Sequence, residues 1–242
     1  MTGLTLYEGP STLGPDPIVV LATGIRPSAN VKTGDCYQVY ILTADFHPHE
    51  ARTLGMDESI CGDCSLRPLT AKIKKSKDQC YVEGYMLNQP WTSWKNAPWK
   101  YPKGSLSQLP DYKPVRVGAY GDMAAVPNAL QFWTEQLKRH KYLAYTSQWR
   151  HADLQGLAMA SVQSPSEQSE AETRGYRTYR RYRGEVQLKS NEIICPFPRV
   201  QCRECMLCDG KNEYPRLQPE WKDIRKNIVV LDAGEKRRLA RG

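Results

Sequence analysis

"VRVGAYGDMAAVPNALQFWTEQLKRHKYLAYTSQW", residues 115–149, sets the architecture. "VRVGAYG" has the β-branched alternation of a strand. A helix follows, opened by Pro127 or Asn128 and running to about residue 140, with Leu130, Trp133 and Leu137 on one face. "YLAYTSQW" is a second strand. Working outward, "LAMASV" at 157–162 is a third. The next helix has Ser164 as N-cap, Pro165 at its first position, acidic residues early and Gly175 at its end. "YRTYRRYR" at 176–183, "NEIICP" and "NIVVLDA" at 227–233 add three more strands. Strands and helices in this order with short connections predict an α/β fold with a parallel sheet. A partial or distorted β/α barrel with cysteine-rich loops is expected, and a doubly wound sheet is the alternative. Active positions then lie at C-terminal strand ends: Tyr120–Asp122, Thr146–Arg150, Val162–Ser164 and Cys195.

The N-terminal half is less regular. Residues 1–35 read as an irregular start with one buried strand at 17–23, and "CYQVYILTA" at 36–44 as a second strand. Residues 88–114 hold six prolines or glycines and three tryptophans, which predicts an ordered loop whose tryptophans pack on something. Residues 1–114 and 115–242 are expected to form one integrated domain.

The chain has 242 residues, 40% hydrophobic and 25% charged, ordinary values for a folded protein. No apolar run approaches the ~20 residues of a membrane span, so no membrane partner is expected. "PIVVLATG" is too short for a signal-peptide core and lacks a basic residue before it. The expected compartment is the cytoplasm, where thiols stay reduced and clustered cysteines serve as metal ligands or catalytic groups before disulfides. The net charge is +8, concentrated in residues 71–77, 175–184 and 235–242. That balance favours nucleic acid or a host protein as partner.

Seven of the eight cysteines fall into two groups. The first is Cys61-x2-Cys64-x15-Cys80, the second Cys195-x6-Cys202-x2-Cys205-x2-Cys208. Cys36, inside an apolar strand, is read as a packed thiol. A C-x2-C pair brings two sulfurs to one ion across a tight turn, and Gly62 eases that turn. Three cysteines at consecutive x2 spacings cannot make two separate zinc knuckles. They suit a chain wrapped around a larger cluster, and Cys195 is followed by proline as in some ferredoxin runs. An iron–sulfur cluster of the [4Fe–4S] type is therefore expected, with zinc as the alternative. The first group either leaves a cluster iron open for a ligand, takes His47 or His49 as a fourth zinc ligand, or joins the second group.

"CGDCSLRP", "CYV", "VRVGAYGDMAAVP", "YTSQWR", "MASV", "GYRTYR", "CP" and "CRECMLCDG" occur in this order between roughly residues 30 and 232. Together they resemble an uncharacterised family of phage and prophage proteins, which implies a viral origin and a host-cytoplasm location. A weaker likeness, through Gly121-Asp122, is to phage half-barrel proteins related to radical-SAM enzymes. That likeness implies S-adenosylmethionine at Cys61, Cys64 and Cys80. The C-x3-C-x2-C triplet of radical-SAM enzymes does not occur in this sequence.

Three more residues are expected at the strand-end rim. Asp122 is placed to bind a cation, a ribose or an amine, or to cap the following helix. Gln148 and Arg150 share its rim, Arg150 as a phosphate or carboxylate fork or as a salt-bridge partner. In the strand at 176–183, alternation puts Arg177, Tyr179, Arg181 and Arg183 on one face, a candidate nucleic-acid patch. No nucleophile elbow, P-loop, dinucleotide fingerprint or HExxH motif occurs.

Overall fold

The computed structural model describes residues 1–73, 80, 82, 84–182, 187–211 and 227–231. Strand β4 (Val115–Tyr120) pairs in parallel with β3 (Tyr37–Thr43) on one side and β5 (Tyr142–Leu143) on the other. Strand β2 (Ile18–Thr23) extends that sheet antiparallel to β3, and β1 (Leu4–Gly9) pairs antiparallel with β2 at the edge. A second five-stranded sheet, all parallel, runs β6 (Tyr145–Thr146), β7 (Met159–Val162), β8 (Thr178–Tyr182), β10 (Asn227–Leu231), β9 (Glu192–Ile194). Ala144 lies between β5 and β6, so one extended segment serves β4 with its first half and β7 with its second. The parallel α/β fold is as expected, and among the described residues the strand succession runs from β1 to β9 without closing. Because β3 pairs with β4, residues 1–114 and 115–242 share one sheet.

The pairing register assigns every strand residue to one of two faces. Tyr37, Val115, Val117, Tyr142, Ala160, Val162 and Arg180 share the outer face. There His140, just past α5 (Ala129–Leu137), meets Tyr37 ring to ring, and α6 (Pro165–Thr173) packs on β7 and β8. Arg180 reaches across β10 to fork onto Glu192 at 2.8 Å through both nitrogens. The inner face carries Gln38, Tyr40, Arg116, Tyr120, Leu143, Tyr145, Met159, Tyr179, Arg181, Ile228 and Ile193. It is the more polar face.

Several sequence expectations are corrected. Leu4–Gly9 is a strand, stabilised by its ladder to β2. Four helices lie between β3 and β4, α1 (Pro48–Leu54), α2 (Glu58–Cys61), α3 (Pro68–Ile73) and α4 (Gly84–Asn96), and the last runs into the stretch 88–114 read as a loop. Helix α4 forms despite Pro90 because Leu87 and Trp94 bury themselves and Trp91 donates its indole N–H to Thr43 O at 2.9 Å. Tertiary packing outweighs composition there. Trp99, in contrast, is 75% exposed. Within α5, Trp133 and Leu137 are buried as expected, but Leu130 is 43% exposed.

Candidate metal centres

The turn Cys61–Cys64 sits over the C-terminal ends of β4 and β6. Asp122, just past β4, donates its amide to Ile60 O at 2.7 Å. Its carboxylate accepts from the Ala124 amide, the Thr146 hydroxyl, and the Ser147 amide and hydroxyl, at 2.6–3.0 Å. Asp122 caps the short turn Met123–Ala125 and not the following helix, whose N-cap is Asn128. Burial pushes the Asp122 carboxyl up, against the pull of these four donors. Gln148 donates to Cys61 O at 2.9 Å. Gly62 has φ +54 and the Gln148 side chain against it, so a Cβ at 62 would meet that side chain at 2.6 Å.

Arg67 holds the turn from the other side. Its guanidinium donates to Asp57 Oδ1 at 3.0 Å, Gly62 O at 2.8 Å and Gly55 O at 2.7 Å. Cys80 joins through its amide, which donates to Leu66 O at 2.8 Å. The three thiols are electrostatic neighbours. Burial pushes Cys61 well up, and Cys64, Asp57, Cys80 and Asp122 add to it. Burial pushes the Cys64 and Cys80 thiols up as well, against the Leu66 and Val82 amides two residues ahead, which donate to their sulfurs and pull toward thiolate. The Ser147 hydroxyl lies within reach of both Asp122 and Cys64. Tyr120, on the inner face below, has a buried hydroxyl without a hydrogen-bond partner among the described residues, and the Arg52 guanidinium lies 5.9 Å from its ring.

The second group is built differently. Past Ile194 the chain turns back across the inner face toward the strand starts. Cys202 and Arg203 donate their amides to Lys32 O and Thr33 O, and Cys208 O accepts the Ala144 amide at 2.9 Å. Gly210, with φ +75, lies so close to Ala158 that a Cβ would sit 2.4 Å from its nitrogen. Cys195, Cys202, Cys205 and Cys208 line one cavity of about 20 Å³ with Leu143, Tyr145, Tyr179 and Ile228. Burial pushes Cys205 up to about 11, against the Leu207 amide that donates to its sulfur. Cys208 is pushed up to about 12, again by burial, and accepts a hydrogen bond from Tyr145. Arg177 closes the loop, donating to Leu207 O, Asp209 Oδ1 and Lys211 O at 3.0–3.3 Å.

The two cysteine groups thus occupy opposite ends of the same inner face and do not join. Cys195 follows a strand end, as expected, but its loop leaves the rim, because β9 pairs with the beginning of β10. Cys36 is fully buried and donates its S–H to Thr33 O. His47 accepts the His49 amide and stacks edge-on to Trp91 at 5.3 Å. Arg150 takes its salt-bridge alternative, forked onto Glu170 at 2.8–3.1 Å and 4.0 Å above the Trp149 ring. Among the described residues, the basic face expected of β8 is not an exposed one. Arg177 is 4% exposed, Arg181 is half-buried and acts on Cys80, and Arg183 lies outside the described residues. Residues 74–77 and 235–242 of the basic stretches also lie outside them.

Among the described residues, no three Cys, His, Asp or Glu side chains stand close enough to hold an ion as they lie. Neutral thiols gain nothing by converging, and closure onto a cation requires their deprotonation. Sequence reasoning named the seven cysteines, and its strand-end ranges took in Tyr120 and Ser147, but it did not name Arg67 or Tyr145. Of these two, only Tyr145 left a trace, as an alternate position in "YLAYTSQW". Among the described residues no helix is long and apolar enough to cross a membrane. No protein-family model, curated protein or solved structure matches the chain.

Proposed function

We propose that the protein is a metal-binding protein carrying iron–sulfur clusters at both cysteine groups. The observation that carries this reading is the gathering of all seven cysteines into two neighbourhoods on one sheet face. The four-cysteine centre is closed and apolar. The three-cysteine centre has no fourth cysteine beside it among the described residues and is surrounded by Asp122, Ser147, Tyr120 and Arg52. A [4Fe–4S] cluster held there by three thiolates keeps one iron for an exogenous ligand. S-adenosylmethionine is the ligand the half-barrel likeness adds, and a radical reaction its consequence. The phage-family motifs add a host-cytoplasm setting. Within the chain, Arg67 and Gln148 fix the Cys61–Cys64 turn, and the Leu66 and Val82 amides stabilise the thiolates.

Zinc at the four-cysteine centre is the second reading, favoured by a cavity of about 20 Å³, which suits a single ion. A zinc-stabilised nucleic-acid or host-protein binder loses its best support, since Arg177 is committed to Asp209 and the loop carbonyls. The test is an absorption spectrum with iron, sulfide and zinc analysis on protein purified without oxygen. A broad band near ~400 nm with equal iron and sulfide is expected. A colourless protein holding only zinc overturns the cluster reading.

A further inference from the structure

Beside the three-cysteine centre, between the loops that follow β4 and β6, lies a groove of about 500 Å³. That is the size of small-molecule sites, ~300–1,000 Å³. Leu13, Val126 and Leu130 supply apolar walls, Asn128 and Gln131 supply exposed carboxamides, and His151 and Asp153 also line it, while the buried Gln148 amide is spent on Cys61 O. None of the residues lining it is Lys or Arg. Leu130, exposed although it belongs to an amphipathic helix, and Asn128, held at φ 51 on its exposed turn, both border the opening. The groove also touches the cysteine turn through Gln148, which donates to Cys61 O, and through His151, 3.5 Å from Asp63.

We propose that this groove binds an uncharged nucleobase, as free base or nucleoside, and presents it to the three-cysteine centre. A flat heterocycle matches apolar walls across its faces. Its edge pairs donors with acceptors, which a carboxamide answers with its own NH2 and C=O. The lack of a cation removes the usual anchor for a phosphate. The presenting role rests on the cluster reading, whereas the binding itself does not.

The test is calorimetry on the full chain purified without oxygen, with the common bases, their nucleosides and their 5′-monophosphates. At least one base and its nucleoside are expected to bind with Kd near or below ~100 µM, and the monophosphate no more tightly. Asn128→Gly, which keeps the positive φ, and the exposed Gln131→Ala are each expected to weaken binding about tenfold, with metal content unchanged. Saturating S-adenosylmethionine is expected to leave base binding in place. The site is overturned if no base or nucleoside binds at ~1 mM, if the monophosphate binds more tightly than its nucleoside, if both variants bind like the parent, or if S-adenosylmethionine competes. Base binding by a protein without iron upholds the site and overturns the presenting role. Iron with no base binding overturns the site and leaves the cluster reading standing.

Discussion

The two ends of the inner face gather cysteines by opposite means. At the strand ends, Cys61, Cys64 and Cys80 are held by polar groups: the Arg67 guanidinium, the Gln148 carboxamide and the hydrogen-bonded Asp122. At the strand starts, four cysteines are held by Leu143, Met159, Leu207 and Ile228, a small apolar cluster of their own. The first arrangement fixes a turn while leaving charge and hydrogen bonds around the thiols. The second makes the cysteine loop itself the cover of a sheet face. A scaffold of the first kind suits a centre that meets a ligand, one of the second kind a centre that holds the protein together.

The largest effect should come from breaking the second. Cys205→Ser is expected to lose the metal of that centre and about 4 kcal/mol of stability, a fall in Tm of roughly 10 °C. Cys61→Ser should lose the other metal while lowering Tm by less than about 3 °C. Metal analysis and thermal melts of both variants decide it, and equal Tm losses would erase the contrast.

Arg67→Met strands Asp57, whose side chain is buried, without its partner. A cost of about 3 kcal/mol and loss of metal at the Cys61 turn are expected, with the four-cysteine centre still loaded. Loss of both metals would mean the two ends fold as one unit.

Acid should also act on the outer face. Burial tends to raise the Glu192 carboxyl, but Arg180 and the Lys189 amide outweigh it and hold the group below the usual glutamate value. Its contribution is therefore complete above the unfolded-state value and is lost as pH falls through the lowered folded one. Glu192→Gln should flatten the acid limb of stability against pH, read by denaturant melts. An unchanged limb would assign acid sensitivity elsewhere.

The smallest effect is expected at Cys36. Cys36→Ala should cost about 1 kcal/mol and leave metal content unchanged, although the thiol lies near Cys202. A loss of metal would make it a fifth member of that centre.

The parallel half was legible because its strands alternate cleanly and Ser164 and Pro165 mark a helix start by local chemistry alone. The cysteine groups were legible because spacing survives in one dimension. Helix α4 was not, since its stability comes from the burial of Leu87 and Trp94 and from Trp91 reaching Thr43 O on β3, a contact across some fifty residues of chain. Arg177 read as part of an exposed basic patch, and Arg67 drew no reading at all, for the same reason. Their partners are backbone carbonyls and single acids whose positions only the folded chain defines. The alternation in β8 was read correctly, yet its exposure was not, because a strand's place within a sheet is not a local property.

Ala144 carries a last consequence. At this one residue the extended segment changes neighbours, and its amide is spent on Cys208 O rather than on a strand. Hydrogen exchange at that amide therefore clocks the opening of the cysteine loop and not of the sheet. A single peptide proton, followed with and without metal, would show how tightly the loop is latched while the neighbouring ladder stays silent.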